Sequence, residues 1–162
     1  MRKYYLLIAL AVVVLDRLTK QAVQRGIALH DFIQVIPGFF RLTHVENTGA
    51  AFGLFADSHS EWKLGMLIVF SVTALIVVLF LLWKNGPTLN LTGVALALIL
   101  GGAVGNLWDR ALHGRVVDFL LFYVGRYEWP SFNAADSAIV VGAGLLVIEM
   151  VFPKRATSPL ET

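Results

Sequence analysis

Two acidic residues that lack an obvious structural partner are the first candidates for chemistry in this sequence. Asp118 lies in the apolar run Val116-Val117-Asp118-Phe119, and the only nearby cation is Arg115. Asp136 follows Asn133 by three residues, at the expected start of an apolar helix. Two carboxylates that are held close together share one proton, because both cannot ionise cheaply. The ionised member takes a proton from water and the protonated member donates one to the scissile group, so the pair predicts metal-free acid–base hydrolysis.

The same residues also have structural interpretations. Asp136 is suited to be the N-cap of its helix. Asp16 and Lys20 are four residues apart and share one helical face, which predicts an ion pair. Asn106, Asp109 and Arg110 also share a face, and Asp109 is predicted to pair with Arg110. In an apolar helix, such acid–base pairs lower the cost of burying each charge. The sequence alone does not decide which aspartate of the pair 118 and 136 holds the proton.

Other chemistries fit the sequence less well. Cysteine is absent, which excludes disulfides, thiolate metal sites and a cysteine nucleophile. The four histidines show no ligand spacing, so no metal site and no cofactor are predicted, and they are interpreted as surface or interface residues. The serines at 58, 60 and 131 lie outside any nucleophile elbow, and the glycine-rich run 101–105 is typical of helix packing. The histidines are His30, His44, His59 and His113.

The elements that position these residues are expected to be membrane helices. Of 162 residues, 57% are hydrophobic and 15% charged, and the mean hydropathy is +0.73; soluble domains have roughly 25% charged residues. We predict one membrane domain over 1–162 with spans at about 4–23, 62–83, 88–108 and 135–152. The first run also resembles a signal peptide, but no small-residue cleavage site follows closely. The net charge of +2 without a dense basic run gives no support for nucleic-acid binding.

Four spans would place both termini on one side of the membrane. Arg2-Lys3, Lys84 and Lys154-Arg155 mark that side as cytoplasmic. The outside segments are then about 26–61, which is predicted to form a hairpin or a few strands, and about 110–134, whose aromatic density is typical of a segment at the membrane surface. All the candidate polar residues would lie at one depth, near the outer ends of the spans.

The ordered motifs resemble a known family, the bacterial lipoprotein signal peptidases (signal peptidase II). They extend from the first span to the last and occur in the family's order and spacing. The matching stretches are Asp16-Arg17-Leu18-Thr19-Lys20, Glu46-Asn47-Thr48-Gly49-Ala50-Ala51-Phe52-Gly53, Gly101-Gly102-Ala103-Val104-Gly105-Asn106-Leu107-Trp108-Asp109-Arg110, Val116-Val117-Asp118-Phe119 and Phe132-Asn133-Ala134-Ala135-Asp136-Ser137.

This resemblance implies a role for each matching residue. Asp118 and Asp136 would be the catalytic pair, and Gly102 would leave room for the substrate. The remaining substrate-site residues would be Asn47, Asn106, Arg110 and Asn133. The supporting residues would be Asp16, Lys20 and Asp109.

The resemblance also implies a fold, a substrate and a location. The fold would be four transmembrane helices with a small extracytoplasmic β-cradle and a short periplasmic surface helix. The substrate would be a prolipoprotein that carries a diacylglyceryl group, cut in the bacterial inner membrane near its periplasmic face in contact with membrane lipid. An antibiotic of the globomycin type would be an inhibitor. No cofactor would be needed.

Two other functions remain open on the residues alone. A small proton- or ion-coupled transporter would use membrane carboxylates as a relay, but it predicts repeats and charges near the midplane. A non-catalytic assembly subunit predicts that Asp118 and Asp136 are dispensable. A further hypothesis is that the segments 26–61 and 110–134 close over the peptide like a clamp.

Overall fold

The computed structural model describes residues 2–49, 61–86 and 89–152. Four helices and four strands occupy these ranges. In chain order they are α1 (Arg2–Gly26), β1 (Phe32–Ile36), β2 (Phe40–Asn47), α2 (Glu61–Lys84), α3 (Leu91–His113), β3 (Val116–Val124), β4 (Tyr127–Glu128) and α4 (Ala134–Val151).

Three of the described helices are long and apolar enough to cross a membrane: Leu64–Lys84 within α2, all of α3 and all of α4. The expected spans at 62–83, 88–108 and 135–152 are thus matched by suitable helices. Helix α3 runs further than predicted, to His113, and ends where Gly114 takes a left-handed conformation with φ 68°. Helix α1 has 25 residues and is long enough, but it carries Asp16, Arg17 and Lys20 and is too charged to be counted with these three helices.

Helix α3 lies at the centre of the bundle and packs against the other three helices. A methyl group on Gly102 would lie 2.3 Å from the carbonyl oxygen of Ala135, and one on Gly101 would lie 2.6 Å from a backbone oxygen of α1. The missing side chain of Gly102 thus lets α3 and α4 approach, and its expected role in leaving room for substrate stays a prediction. Gly142 packs equally closely against α3, whereas Gly144 has nothing within 4 Å.

The strands form one antiparallel sheet in the order β1-β2-β3-β4. It packs on the C-terminal end of α1, where Val23 and Ile27 share a buried cluster with Val117 and Phe119 of β3. The hairpin predicted within 26–61 is present as β1 and β2. Because β2 and β3 are hydrogen-bonded neighbours, the described parts of the two outside segments are not opposing jaws of a clamp.

Between α3 and α4, the aromatic segment 110–134 forms strands and turns, and the described residues contain no short surface helix. Residues 114–133 contain β3, β4 and turns, and no helix. The rings pack on one another across the sheet, with centroids 4.8 Å apart for Phe40 and Phe122 and 6.0 Å apart for Phe122 and Phe132. This cross-strand packing explains the aromatic density. Residues 50–60, which include Ser58, His59 and Ser60, lie outside the described residues, as do residues 153–155.

Candidate active site

Asp118 and Asp136 line the same cavity, of about 510 Å³, at the end of the bundle that carries the sheet. Asp118 lies on β3, opposite Val45 of β2, and Asp136 lies in the first turn of α4. Asn47 and Arg110 also line this cavity. The sheet and the start of α4 therefore bring together the two carboxylates that the sequence singled out. The apolar wall consists of Val116, Trp129, Phe132, Ile139, Val140 and Val141.

The start of α4 fixes the position of Asp136. Asn133 is the N-cap, and its Oδ1 accepts a hydrogen bond from the backbone N–H of Asp136 at 3.0 Å. The Asp136 carboxylate accepts in return from the backbone N–H of Asn133 at 3.2 Å. This reciprocal pair is a capping box. The proposal that Asp136 itself is the N-cap is therefore wrong, since Asp136 is the third helical residue and Asn133 is the cap.

Asn133 also joins the two aspartates. The Oδ1 of Asn133 accepts from the backbone N–H of Asp136, and a backbone N–H can only donate, so this end of the amide must be the oxygen. The opposite end is therefore the NH₂ group, and its Nδ2 donates to Asp118 Oδ1 at 2.7 Å. Asn47 is oriented by the same logic: its Oδ1 accepts from the Gly49 N–H at 2.8 Å and its Nδ2 donates to Asp118 Oδ2 at 2.9 Å. Both Asp118 oxygens thus accept an amide N–H.

Burial raises the pKa of Asp118 to about 6, and the nearby Asp136 carboxylate adds to that rise. The hydrogen bonds from Asn47 and Asn133 and the charge of Lys20 lower the Asp118 pKa and offset part of the effect. A carboxyl group with a pKa near 6 exchanges its proton close to neutral pH, as an acid–base catalyst must.

A buried ionic cluster lies behind the cavity, between α1 and α3. Lys20 is 2% exposed, and its Nζ lies 2.8 Å from Asp16 Oδ2 and 2.7 Å from Asp109 Oδ2. The predicted Asp16–Lys20 pair is thus confirmed. The predicted pairing of Asp109 with Arg110 is wrong: Asp109 contacts Lys20 and Arg17, because adjacent helical residues point in different directions. Arg110 lines the cavity instead and donates to the Gly49 carbonyl at 3.2 Å.

Asp16 ties α1 to the start of α4. Its side chain is fully buried, and its Oδ1 accepts from the backbone N–H of Ala135 at 3.1 Å. The carboxylate therefore caps α4 from another helix, next to Asp136. Gly105 makes this approach possible, since a methyl group there would lie 2.7 Å from Asp16 Oδ2.

Sequence reasoning missed some residues around the site. His44 was expected at the surface or at an interface, whereas it is buried on β2, and its Nδ1 lies 2.9 Å from the Ile27 carbonyl oxygen. Trp129 and Phe132 form part of the cavity wall, although their density indicated only a surface segment. A signal was present in the run 116–124, because it is rich in the β-branched and aromatic residues that favour strands.

The fold and the site define a class of protein, the membrane aspartic hydrolases. Two carboxylates are held by amide donors in one cavity, beside helices that are apolar enough to cross a membrane. The sequence model of the family described as signal peptidase (SPase) II matches residues 8–152. The chain therefore belongs to the signal peptidase II family, whose members are aspartic proteases that cleave signal peptides from prolipoproteins.

Individual relatives agree with this membership. The chain is 46% identical over 148 residues to a lipoprotein signal peptidase of Solibacter usitatus (strain Ellin6076), covering 91% of this chain and 90% of the relative. It is 45% identical over 150 residues to that of Symbiobacterium thermophilum (strain DSM 24528 / JCM 14929 / IAM 14863 / T), covering 93% and 95%. A solved bacterial membrane enzyme superimposes with a TM-score of 0.84 at 30% identity, covering 98% of this chain and 95% of that one. Another gives a TM-score of 0.80 at 32% identity, covering 95% of each chain.

Proposed function

We propose that this chain removes the signal peptide from diacylglyceryl-modified prolipoproteins and that Asp118 and Asp136 are its catalytic pair. The observation that carries the proposal is that both carboxylates line one cavity and share the Asn133 side chain and backbone as hydrogen-bond donors. Their closeness favours a state with one proton between them. The charges cluster at one end of the bundle, which argues against a transport relay across the membrane.

In the proposed reaction, the ionised aspartate takes a proton from a water molecule as its oxygen attacks the scissile carbonyl. The protonated aspartate donates to the carbonyl oxygen, which gives a neutral tetrahedral intermediate. As the C–N bond breaks, the leaving nitrogen takes the proton that the first aspartate received from water, and a hydroxyl of the intermediate returns a proton to the second aspartate. The amide donors of Asn47, Asn106 and Asn133 hold the two carboxylates in place. The buried Nε of Arg110 has no hydrogen-bond partner within the described residues, so it is available to bind a substrate carbonyl.

The shape of the cavity suits a lipid-modified substrate. One wall is the face of α4 at Val140 and Val141, which are 63% and 54% exposed, so the cavity continues onto the outside of the helix. In a membrane that face meets acyl chains, and a substrate enters sideways from the lipid. An inhibitor of the globomycin type would occupy the same cavity.

We further propose that α1 is a fourth span, with both termini in the cytoplasm and the cavity near the periplasmic face of the inner membrane. The charges of α1 do not oppose insertion strongly, since Asp16 and Lys20 are buried and paired with each other. The rest of the helix offers exposed leucines to lipid, among them Leu6 and Leu10.

A gel-shift assay on purified protein with a diacylated prolipoprotein tests the catalytic pair. Wild type is expected to cleave, while Asp118→Asn and Asp136→Asn are inactive although folded. Asp31→Asn is the matched control, because this aspartate is exposed, its carboxylate accepts the neighbouring backbone N–H of Phe32, and it does not line the cavity. Cleavage by either dyad variant at the wild-type rate would refute the assignment.

A further inference from the structure

Lys20 contacts the catalytic pair indirectly, through one asparagine. Its Nζ donates to Asn106 Oδ1 at 3.2 Å, in addition to its bonds to Asp16 and Asp109. The other end of the same amide, Nδ2 of Asn106, donates to Asp136 Oδ1 at 2.7 Å. The Asn106 side chain therefore lies between a buried ammonium group and a catalytic carboxylate.

The chemistry of the two neighbours dictates how this amide must be turned. An ammonium group has three donors and no acceptor, so only the oxygen of Asn106 can face Lys20. Asn133 Nδ2 approaches the same oxygen at 3.3 Å and favours the same orientation. If the amide turned over, its oxygen would face the Asp136 carboxylate and its NH₂ group would face the ammonium. Both contacts would then be repulsive.

We infer that Lys20 is a positioning residue of the peptidase: by fixing the orientation of Asn106, it keeps an N–H donor on the Asp136 carboxylate. This inference rests on the proposed role of Asp136 in catalysis. Lysine suits the position because three acceptor oxygens, from Asp16, Asp109 and Asn106, match its three N–H donors. The competing explanation is that Lys20 only neutralises the two buried aspartates.

An experiment on the wild-type protein tests the orientation directly. The sequence has five asparagines, so selective ¹⁵N labelling of asparagine gives few side-chain amide signals in detergent micelles. The Asn106 signal is assigned as the one missing from Asn106→Ala. Its NH₂ protons are expected to shift as the catalytic pair titrates, because one of them is bonded to Asp136. An Asn106 NH₂ signal that does not respond to this titration would overturn the inference.

A double-mutant cycle separates positioning from charge neutralisation. Lys20→Met and Asn106→Ala are each expected to lower kcat by about 10- to 100-fold with KM within about threefold, because a displaced catalytic group impairs the chemical step more than binding. If Lys20 acts through Asn106, the double variant is within about threefold of Asn106→Ala. Each variant is measured at its own optimal pH, so that a change in the pH optimum caused by removing the charge of Lys20 is not counted as a loss of kcat. Losses that multiply would refute the inference.

The control is Gln24→Met, on the same helix one turn further along and exposed, which is expected to keep wild-type activity. Lys20→Met leaves two buried aspartates short of a partner, so its folding is checked by thermal unfolding, and Lys20→Gln replaces it if it does not fold. The titration of the wild-type amide needs neither variant. Failure of the proposed function is distinguished separately: it would appear as cleavage by Asp118→Asn or Asp136→Asn, whatever the result at Lys20.

Discussion

Replacement of Asn133 by serine separates two tasks that this one side chain performs. Asn133 caps α4 through its oxygen, and it donates from its nitrogen to Asp118 at 2.7 Å. Serine is as good an N-cap as asparagine but is too short to supply the amide N–H to Asp118. We therefore expect Asn133→Ser to keep the helix start and to weaken the hold on the catalytic carboxylate.

The structure sets the size and sign of the effect. A hydrogen bond to a charged group contributes about 1.5–3 kcal/mol, and about 1.4 kcal/mol corresponds to one pKa unit. The bond favours the ionised form of Asp118, so its loss raises the pKa of Asp118 further above its present value of about 6. The pKa of Asp118 read from the pH profile of kcat/KM is expected to rise by about one to two units. Where Asp118 is ionised, loss of the bond also lowers the stability of the folded state by about 1.5–3 kcal/mol, whereas the exchange of one good N-cap for another changes it little.

The assay is the pH profile of prolipoprotein cleavage for wild type, Asn133→Ser and Asn133→Ala, with thermal unfolding of each in the same detergent. The alanine variant loses the cap as well, so it should be about 1 kcal/mol less stable than the serine variant while showing the same rise in the Asp118 pKa. A kcat/KM profile in which both limbs stay at their wild-type pH in both variants would refute the role of Asn133 at Asp118. A serine variant as unstable as the alanine variant would refute the division of tasks.

Three further perturbations have outcomes set by the structure. Gly102→Ala should lower the unfolding temperature, because its methyl group meets the Ala135 carbonyl oxygen, whereas Gly144→Ala, with open space, should not; equal effects in detergent would contradict the packing. The pKa of Asp118 in the folded protein is raised to about 6, so between about pH 4 and pH 6 the folded state holds a proton that the unfolded state has lost. The stability of wild type relative to Asp118→Asn should therefore fall as pH rises from about 4 to about 6, and a stability difference that grows with pH would contradict the raised pKa. Tyr5→Phe removes the hydroxyl that accepts from the α3 N-cap backbone at 3.1 Å, far from the cavity, so it should cost about 1 kcal/mol of stability without changing kcat; a loss of activity in the folded variant would disprove this separation.

The helices were the most predictable part of the fold. Apolar runs around 64–83 and 135–152 match α2 and α4, since an apolar run of that length has few alternatives to a membrane helix. The strands were harder to predict, because β3 looks like an aromatic surface segment when its partners are unknown. β3 becomes a strand by pairing with β2, which lies about 70 residues earlier in the chain. Nothing within β3 itself identifies that partner.

The pairing of charges was predicted only where it is local. Asp16 and Lys20 are one turn apart on a single helix, so the periodicity of the helix places them together. Asp109 was assigned to its neighbour Arg110, yet it pairs with Lys20 and Arg17 on another helix. Adjacency in sequence does not give adjacency in space on a helix, and the contact between α1 and α3 had no sequence signal.

The sequence by itself determined the membrane class, the family and the identity of the two candidate carboxylates, because composition, apolar runs and ordered motifs are properties of the chain. Only the tertiary structure decided which atoms face each other. It turned three asparagine amides toward the two aspartates, placed Gly102 at the contact between α3 and α4, and made Asp16 a cap for a helix more than a hundred residues away. The physical reason is that a hydrogen bond depends on the direction and the donor or acceptor character of both partners. The chain supplies those partners from distant positions, and they meet only when the helices and the sheet have packed.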